Sequence, residues 1–106
     1  FRRFSAVWRD FMFQNDKYLT RGVSQTIPNW LVILLWHLIA TMQTESKDYL
    51  QVFRLQKNGQ GQRITHTQEQ PLYQRELFVP CEDAVNAKLF VIDDGTHSTM
   101  LLAEEY

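Results

Sequence analysis

The chain has few of the residues that cross-link or interrupt a fold. Cys81 is its single cysteine, so no disulfide can form within the chain and a cysteine-rich zinc site is excluded. Four glycines and three prolines among 106 residues argue against wholesale disorder. A formal net charge of −1 provides no overall electrostatic attraction to nucleic acid. The scarcity of cysteine fits a reducing compartment, and we expect a cytoplasmic protein.

The most distinctive stretch is the apolar run Thr26–Ala40. Pro28 suits the first position of a helix, because a proline has no N–H that would lack an intrahelical partner there. The run has apolar residues on every face, which predicts a core helix covered on most of its sides. It is shorter than the roughly 20 apolar residues that a membrane-spanning helix needs. With 106 residues, of which 44% are hydrophobic, the chain is long enough to form one domain with one modest core.

Alternating residues and turn signals predict β-strands on both sides of this helix. A first strand at Tyr18–Val23 is ended by Gly22 and the polar residues after it. The Asn-Gly pair at 58–59 and the Asp-Gly pair at 94–95 predict hairpin turns. The order of elements predicts an α+β fold with one main helix packed on a mostly antiparallel β-sheet. The later predicted strands are Asp48–Gln56, Gln62–Glu69, Tyr73–Val79, Lys88–Asp93 and Ser98–Leu102.

Alternation within the strands predicts which side chains are covered. Tyr49, Phe53 and Leu55 share one face of their strand, and we expect Phe53 to pack under the helix. Gln62–Glu69 is polar at nearly every second position, so we expect it to face solvent. As an exposed edge, this strand would be able to pair with a partner or with a second copy of the chain.

Residues 1–11 are aromatic and basic, and two interpretations of them are open. As protein, they fit an amphipathic helix that lies on a membrane surface or in the groove of a partner. Alternatively, the chain starts at Met12, because TGG for Trp8 followed by AGG or AGA for Arg9 spells a purine-rich ribosome-binding sequence. We therefore predict that residues 1–11 are a leader or an expression-derived extension, and that residues 12–106 form a single α+β domain.

The sequence contains one cluster with the chemistry of a metal site. Asp93–Ser98 combines two carboxylates, a histidine and hydroxyls, which are groups that a divalent cation can use. A tight hairpin also requires the Asp-Gly pair, and we favour a structural turn. His37 lies inside the apolar helix, where we expect a structural histidine at the edge of the core and not a general base. The two carboxylates that follow Cys81 disfavour a reactive thiolate there. Without a phosphate loop or a nucleophile elbow, we expect a non-enzymatic protein with no cofactor.

Several segments, read in order, resemble one family of proteins. They are Tyr18–Ser24, Thr26–Pro28, Leu35-Trp36, Asp48–Phe53, Val91–Gly95, Ser98–Leu102 and the closing Glu105-Tyr106. From about Met12 onward they resemble a family of small Firmicutes proteins described as a staphylococcal protein of unknown function. The resemblance implies no reaction. The genes of this family accompany phages, plasmids and conjugative elements as well as chromosomes, which implies an accessory or host-interaction role.

We therefore expect a protein-binding module that serves as an accessory protein of a mobile genetic element. Large aromatic side chains and arginines are enriched at interface hot spots, which makes them the candidates for binding. One specific version, implied by the genomic setting of the family, is an inhibitor of a host defence nuclease, in the manner of an anti-CRISPR protein. The candidate interaction residues are Trp30, Trp36, Arg54, Arg63, Tyr73, Arg75 and Tyr106.

Binding of single-stranded nucleic acid is the other alternative. Basic and aromatic side chains on one face of a sheet can contact phosphates and stack on bases. The packing of Phe53 under the helix argues against this alternative, because it removes an aromatic ring from that face. The residues concerned are Arg54, Lys57, Arg63 and Arg75 with Tyr49, Phe53 and Tyr73.

Overall fold

The computed structural model describes residues 12–106, so the predicted leader at residues 1–11 lies outside the described residues. Within this part of the chain, six strands and two α-helices precede a 3-10 turn at Ala103–Glu105. None of these helices is long and apolar enough to cross a membrane. In order, the elements are β1 (Asp16–Leu19), α1 (Arg21–Thr26), α2 (Asn29–Ala40), β2 (Leu50–Asn58), β3 (Gly61–Gln68), β4 (Tyr73–Pro80), β5 (Ala87–Asp93) and β6 (His97–Leu102).

The strands form one sheet in the order β1-β6-β5-β2-β3-β4. All neighbouring strands are antiparallel except β1 and β6, which are parallel. The predicted α+β class with a mostly antiparallel sheet is confirmed, although the sheet, more than one main helix, dominates the fold. Both predicted hairpin turns are confirmed, with Gly59 at φ 62° and Gly95 at φ 98°, in the left-handed region that glycine tolerates.

Helix α2 is the main helix and begins directly after Pro28. Its inner side chains, among them Leu31 and Leu35, are fully buried. Ile33 on its outer side is 69% exposed, so the prediction that the helix is covered on most of its sides is wrong. The reason is that a single sheet layer covers only one side of a helix.

The segment Arg21–Thr26 is helical, although the sequence pattern predicted the end of a strand and a turn there. Thr20 caps this helix, because its Oγ1 accepts a hydrogen bond from the Val23 backbone N–H at 3.3 Å. Val23 is buried in the core, which a helix starting at the cap allows. The first strand therefore ends at Leu19 and does not reach Val23.

The side chains of the sheet point to two faces, which we name the helix face and the open face. Both helices contribute buried residues to the core on the helix face, and Phe53 is fully buried there, as predicted. Among residues 12–106, no helix packs on the open face. The sheet residues of the core are Phe53, Leu55, Ile64, Leu89, Val91 and Met100.

Strand β3 lies inside the sheet, between β2 and β4. The prediction that Gln62–Glu69 faces solvent and forms an exposed edge is therefore wrong. Gln62, His66 and Gln68 are buried on the helix face. Their polarity misled the prediction, because hydrogen bonds to residues distant in sequence satisfy them. The edges of the sheet are β1 and β4.

Candidate interaction site

The open face carries a group of apolar, aromatic and basic side chains, which we name the open-face patch. Strand register brings its members together, because Phe90 of β5 pairs with Val52 of β2, and Lys88 pairs with Arg54 two residues along the strand, on the same face. Lys88 Nζ also lies 5.6 Å from the centre of the Phe90 ring. The patch consists of Val52, Arg54, Arg63, Lys88, Phe90 and Tyr106.

The charged side chains that β2, β3, β4 and β5 place on the open face are three cations and one carboxylate. The carboxylate is that of Glu76, whose Oε1 lies 4.0 Å from Arg63 Nη1, and both side chains are about half exposed. Such an exposed and long ion pair contributes little to stability. The patch is therefore positively charged, although the whole chain carries a net charge of −1.

The C-terminal turn places Tyr106 at this patch. The Tyr106 ring is 82% exposed and meets the Phe90 ring edge-on, with 5.5 Å between ring centres. Next to it, the Glu105 carboxylate accepts hydrogen bonds from Thr20 Oγ1 at 2.6 Å, Leu102 N at 2.8 Å and Gly22 N at 3.2 Å. The hydrogen bond from the Thr20 side chain, followed by that from the Leu102 backbone, lowers the pKa of Glu105. Glu105 thus fixes the chain end against the start of α1.

An open-sided depression of about 580 Å³ extends the apolar part of the open face toward the start of β2. Leu50 and Val52 line it, and Leu72, which is 85% exposed, stands at its rim. Tyr49, 55% exposed, lies beside them. Apolar side chains that remain accessible next to a concave surface are typical of binding sites for other molecules.

The two tryptophans among the predicted interaction residues lie on α2, away from the open-face patch. Trp30 Nε1 donates a hydrogen bond to Asp83 Oδ2 at 2.9 Å and so fastens the start of the helix to the segment before β5. Trp36 is half-buried, and Lys17 Nζ lies 5.7 Å from the centre of its ring. Both side chains therefore have structural contacts at the margin of the core.

The sheet separates the basic and aromatic residues that the nucleic-acid alternative placed on one face. Arg54 and Arg63 belong to the open face, whereas Phe53, Tyr73 and Arg75 lie on the helix face. Tyr73 is half-buried and its ring meets the His66 ring edge-on, with 5.3 Å between ring centres. The predicted single basic and aromatic face is therefore wrong in its membership, because neighbouring residues along a strand point to opposite faces.

A buried polar network at one end of the helix face was not predicted. His66 Nε2 lies 2.7 Å from Gln51 Oε1, and Gln51 Nε2 donates to Gln68 Oε1 at 2.7 Å. Gln68 Oε1 also accepts a hydrogen bond from Asp48 N, and Gln68 Nε2 donates to the carbonyl oxygens of Ser46 and Pro71.

The burial of His66 in this network changes its titration. Burial, followed by the nearby charge of Arg75, lowers the pKa of His66 to about 4. The ring is therefore neutral near pH 7, and its Nδ1 is buried without a hydrogen-bond partner.

The carboxylates at the β5–β6 turn are occupied by hydrogen bonds within the turn and to the chain before β1. Asp93 is buried and accepts from Phe13 N at 2.7 Å, Gly95 N at 2.8 Å and Asn15 Nδ2 at 3.1 Å. The exposed Asp94 accepts from the backbone N–H groups of Thr96 and His97 and from Thr96 Oγ1; these bonds lower its pKa to about 2. Across the described residues, no three metal-ligating side chains come together.

Comparison with known proteins identifies a related fold and a family. A crystal structure of a protein of unknown function from Enterococcus faecalis has a TM-score of 0.77 and 22% sequence identity, covering 88% of this chain and 92% of that chain. At this identity the likeness concerns the fold alone. A search of curated proteins gave no match. The family profile described as "staphylococcal protein of unknown function" matches residues 16–105, and the chain belongs to that family.

Proposed function

We propose that this domain is a non-enzymatic protein-binding module that uses the open-face patch. The observation that carries the proposal is that no helix of the described part, residues 12–106, covers the open face. In a two-layer fold the second face of an antiparallel sheet is ordinarily polar. Here that face presents Val52 and Phe90 in its centre, with Phe78 50% exposed on β4 and Tyr106 82% exposed at the chain end. Apolar surface of this kind is stabilised when a partner covers it.

The chemistry of the patch indicates the kind of partner. Arg54, Arg63 and Lys88 surround the apolar side chains, and the single carboxylate on these strands, Glu76, lies beside Arg63. A complementary surface would present acidic groups around an apolar centre. Arginine and aromatic residues supply much of the binding energy at protein interfaces, so Arg54, Phe90 and Tyr106 are the expected hot spots.

A capture experiment with matched variants tests this proposal. The full chain and residues 12–106 are each used as bait in a Firmicutes lysate, with and without nuclease, and bound proteins are identified by mass spectrometry. We expect Arg54→Glu/Lys88→Glu to lose a protein that the wild type retains after nuclease treatment. The control, Arg21→Glu/Lys57→Glu, makes the same change of charge at exposed positions off the open face and away from β4, and should retain it. Capture that is equal in both variants would contradict the proposal.

Single-stranded nucleic acid is the second candidate, favoured by the position of Lys88 Nζ 5.6 Å from the centre of the Phe90 ring and by Arg54 opposite Lys88 on the neighbouring strand. Three cations at the open face would release about two counterions on binding, which gives a logarithmic salt slope of roughly −2. Titration of an oligothymidylate at increasing salt concentration measures this slope. A flat dependence, or binding that survives Arg54→Glu/Lys88→Glu, would reject this candidate.

An accessory role for a mobile element, including inhibition of a defence nuclease, stays a prediction from the family resemblance. Its test is biological. Expression of the chain in a host with an active defence system should raise the survival of incoming phage or plasmid DNA, and Arg54→Glu/Lys88→Glu should remove that protection. Survival that does not change on expression would reject this role and leave the binding module untouched.

A further inference from the structure

The edge of the sheet formed by β4 is long, regular and unpaired. Its register with β3 runs without interruption from Gly61 opposite Pro80 to Gln68 opposite Tyr73, so no β-bulge twists the edge away. Among residues 12–106, no strand pairs with its outer side. Proteins ordinarily protect such an edge from association with other strands.

The alternation of an antiparallel ladder identifies which backbone groups face outward. Cys81 N donates to Gln60 O at 3.2 Å, so this pair is hydrogen-bonded and every second pair after it is hydrogen-bonded too. The backbone groups of Gln74, Glu76 and Phe78 therefore point away from β3. Pro80 has no N–H and ends this outward row. Gln74, Glu76 and Phe78 thus offer three donors and three acceptors to an added strand, and Pro80 adds one further acceptor.

The charges on β4 oppose pairing with a second copy. In an antiparallel pair of β4 strands with both helix layers on the same side, the register that uses all three outward residues sets Glu76 opposite Glu76 of the second copy. The register shifted toward the start of β4 sets Arg75 opposite Arg75 of the second copy. The register shifted toward the end sets Leu77 opposite Leu77 and leaves both charges opposite apolar residues, so neither charge gains a partner. Like charges directly opposite each other destabilise a strand pair.

We infer that β4 is the docking edge for an extended segment of a different protein, which adds to the sheet as an antiparallel strand. This segment carries a basic residue opposite Glu76 and, next to it, an acidic residue opposite Arg75. Apolar residues precede that pair, opposite Leu77 and the half-exposed Phe78. Glu76 is available for such a contact, because its ion pair with Arg63 is long and exposed. The inference concerns the outer backbone edge of β4, which adjoins the open-face patch at Glu76 and Phe78, and it does not rest on the function proposed for that patch.

Two capped peptides of equal composition test the inference on the full chain. The first, Thr-Val-Ile-Lys-Glu-Thr-Val, matches the charges of β4 in the antiparallel register, and the second, Thr-Val-Ile-Glu-Lys-Thr-Val, reverses them. Amide chemical shifts in ¹H–¹⁵N spectra report both the affinity and the position of binding. We expect the first peptide to bind about fivefold tighter and to shift the amides of Gln74, Glu76 and Phe78.

The charge-reversed variant Arg75→Glu/Glu76→Lys should invert this preference. The matched control Arg21→Glu/Glu45→Lys makes the same changes at exposed positions away from β4 and should keep the wild-type order. The inference is overturned if neither peptide binds at about 1 mM, if both bind equally, or if the order is unchanged in the charge-reversed variant. Shifts confined to β1 or to the open-face patch would also overturn it.

Discussion

The imidazole of His66 makes the stability of the fold sensitive to pH, because the ring is buried in the core in its neutral form. It stacks on Phe53, with 4.3 Å between ring centres, and its Nε2 lies within hydrogen-bond distance of Gln51 Oε1, at 2.7 Å. Protonation would place a positive charge between aromatic rings and close to Arg75. A buried charge without a counter-charge is costly, so the folded protein resists protonation at this position.

Acidification should therefore destabilise the protein between pH 6.5 and about 4. In this window His66 is protonated in the unfolded chain, whose value is near 6.5, whereas the pKa in the folded protein is about 4. The unfolded state then binds more protons, so the free energy of unfolding falls as the pH falls, by on the order of 3 kcal/mol in total. Urea unfolding across this range measures the effect. His66→Phe should give a flatter profile, and an equally steep one would refute the assignment.

The carboxylate of Asp93 should be a second sensitive point. Asp93→Asn keeps the size of the side chain but replaces one carboxylate oxygen with an N–H₂ group that cannot accept a hydrogen bond. One donor to Asp93 is the buried backbone N–H of Phe13. Phe13 has φ 63°, a conformation rare outside glycine. We expect a loss of about 2 kcal/mol in the free energy of unfolding, measured in urea. Asp16→Asn, at an exposed position, should change it by less than about 0.5 kcal/mol. Equal effects of the two substitutions would contradict this role of Asp93.

At the scale of elements, local chemistry made the hairpins, α2 and the five later strands predictable, whereas distant partners determine helix α1 and the burial of β3. The turns at Gly59 and Gly95 and the helix start at Pro28 depend on neighbouring residues alone. Helix α1 depends on Thr20, whose hydroxyl is bonded to Glu105 at the other end of the chain. The candidate site was predicted in part, because Arg54, Arg63 and Tyr106 share the open face. Membership of that face follows from register and strand order, which a single sequence does not display.

The hairpin between β2 and β3 should be sensitive at Gly61 and tolerant at Gly59. A Cβ on Gly61 would overlap the Phe78 ring and lie 2.6 Å from the Val79 backbone oxygen, which has no freedom to withdraw. We expect Gly61→Ala to cost about 2 kcal/mol of unfolding free energy, as overpacking does. Gly59→Asn should cost under about 1 kcal/mol, because the site is open and asparagine tolerates positive φ. Thermal unfolding compares them, and a larger effect at Gly59 would be inconsistent with this packing.

For the whole molecule, the charges of β4 should decide whether copies associate through this edge. Removal of both charges in Arg75→Thr/Glu76→Thr leaves a regular edge with residues that favour strands. We expect this variant to dimerise at about 100 µM while the wild type does not pair through β4. Light scattering after size-exclusion chromatography measures the mass, and Arg21→Thr/Glu45→Thr serves as the control. A variant that behaves as the wild type does would show that these charges have no protective role.

The position of β6 between β1 and β5 has a consequence for the synthesis of the protein. The chain reaches its first strand before residue 20, yet that strand has no partner until the last strand has been made. A nascent chain therefore carries the apolar residues of α1 and α2 without a completed sheet until β6 has been made. We expect a chain that stops before β6 to leave these apolar residues uncovered, so that it aggregates or is degraded and does not form a smaller stable domain.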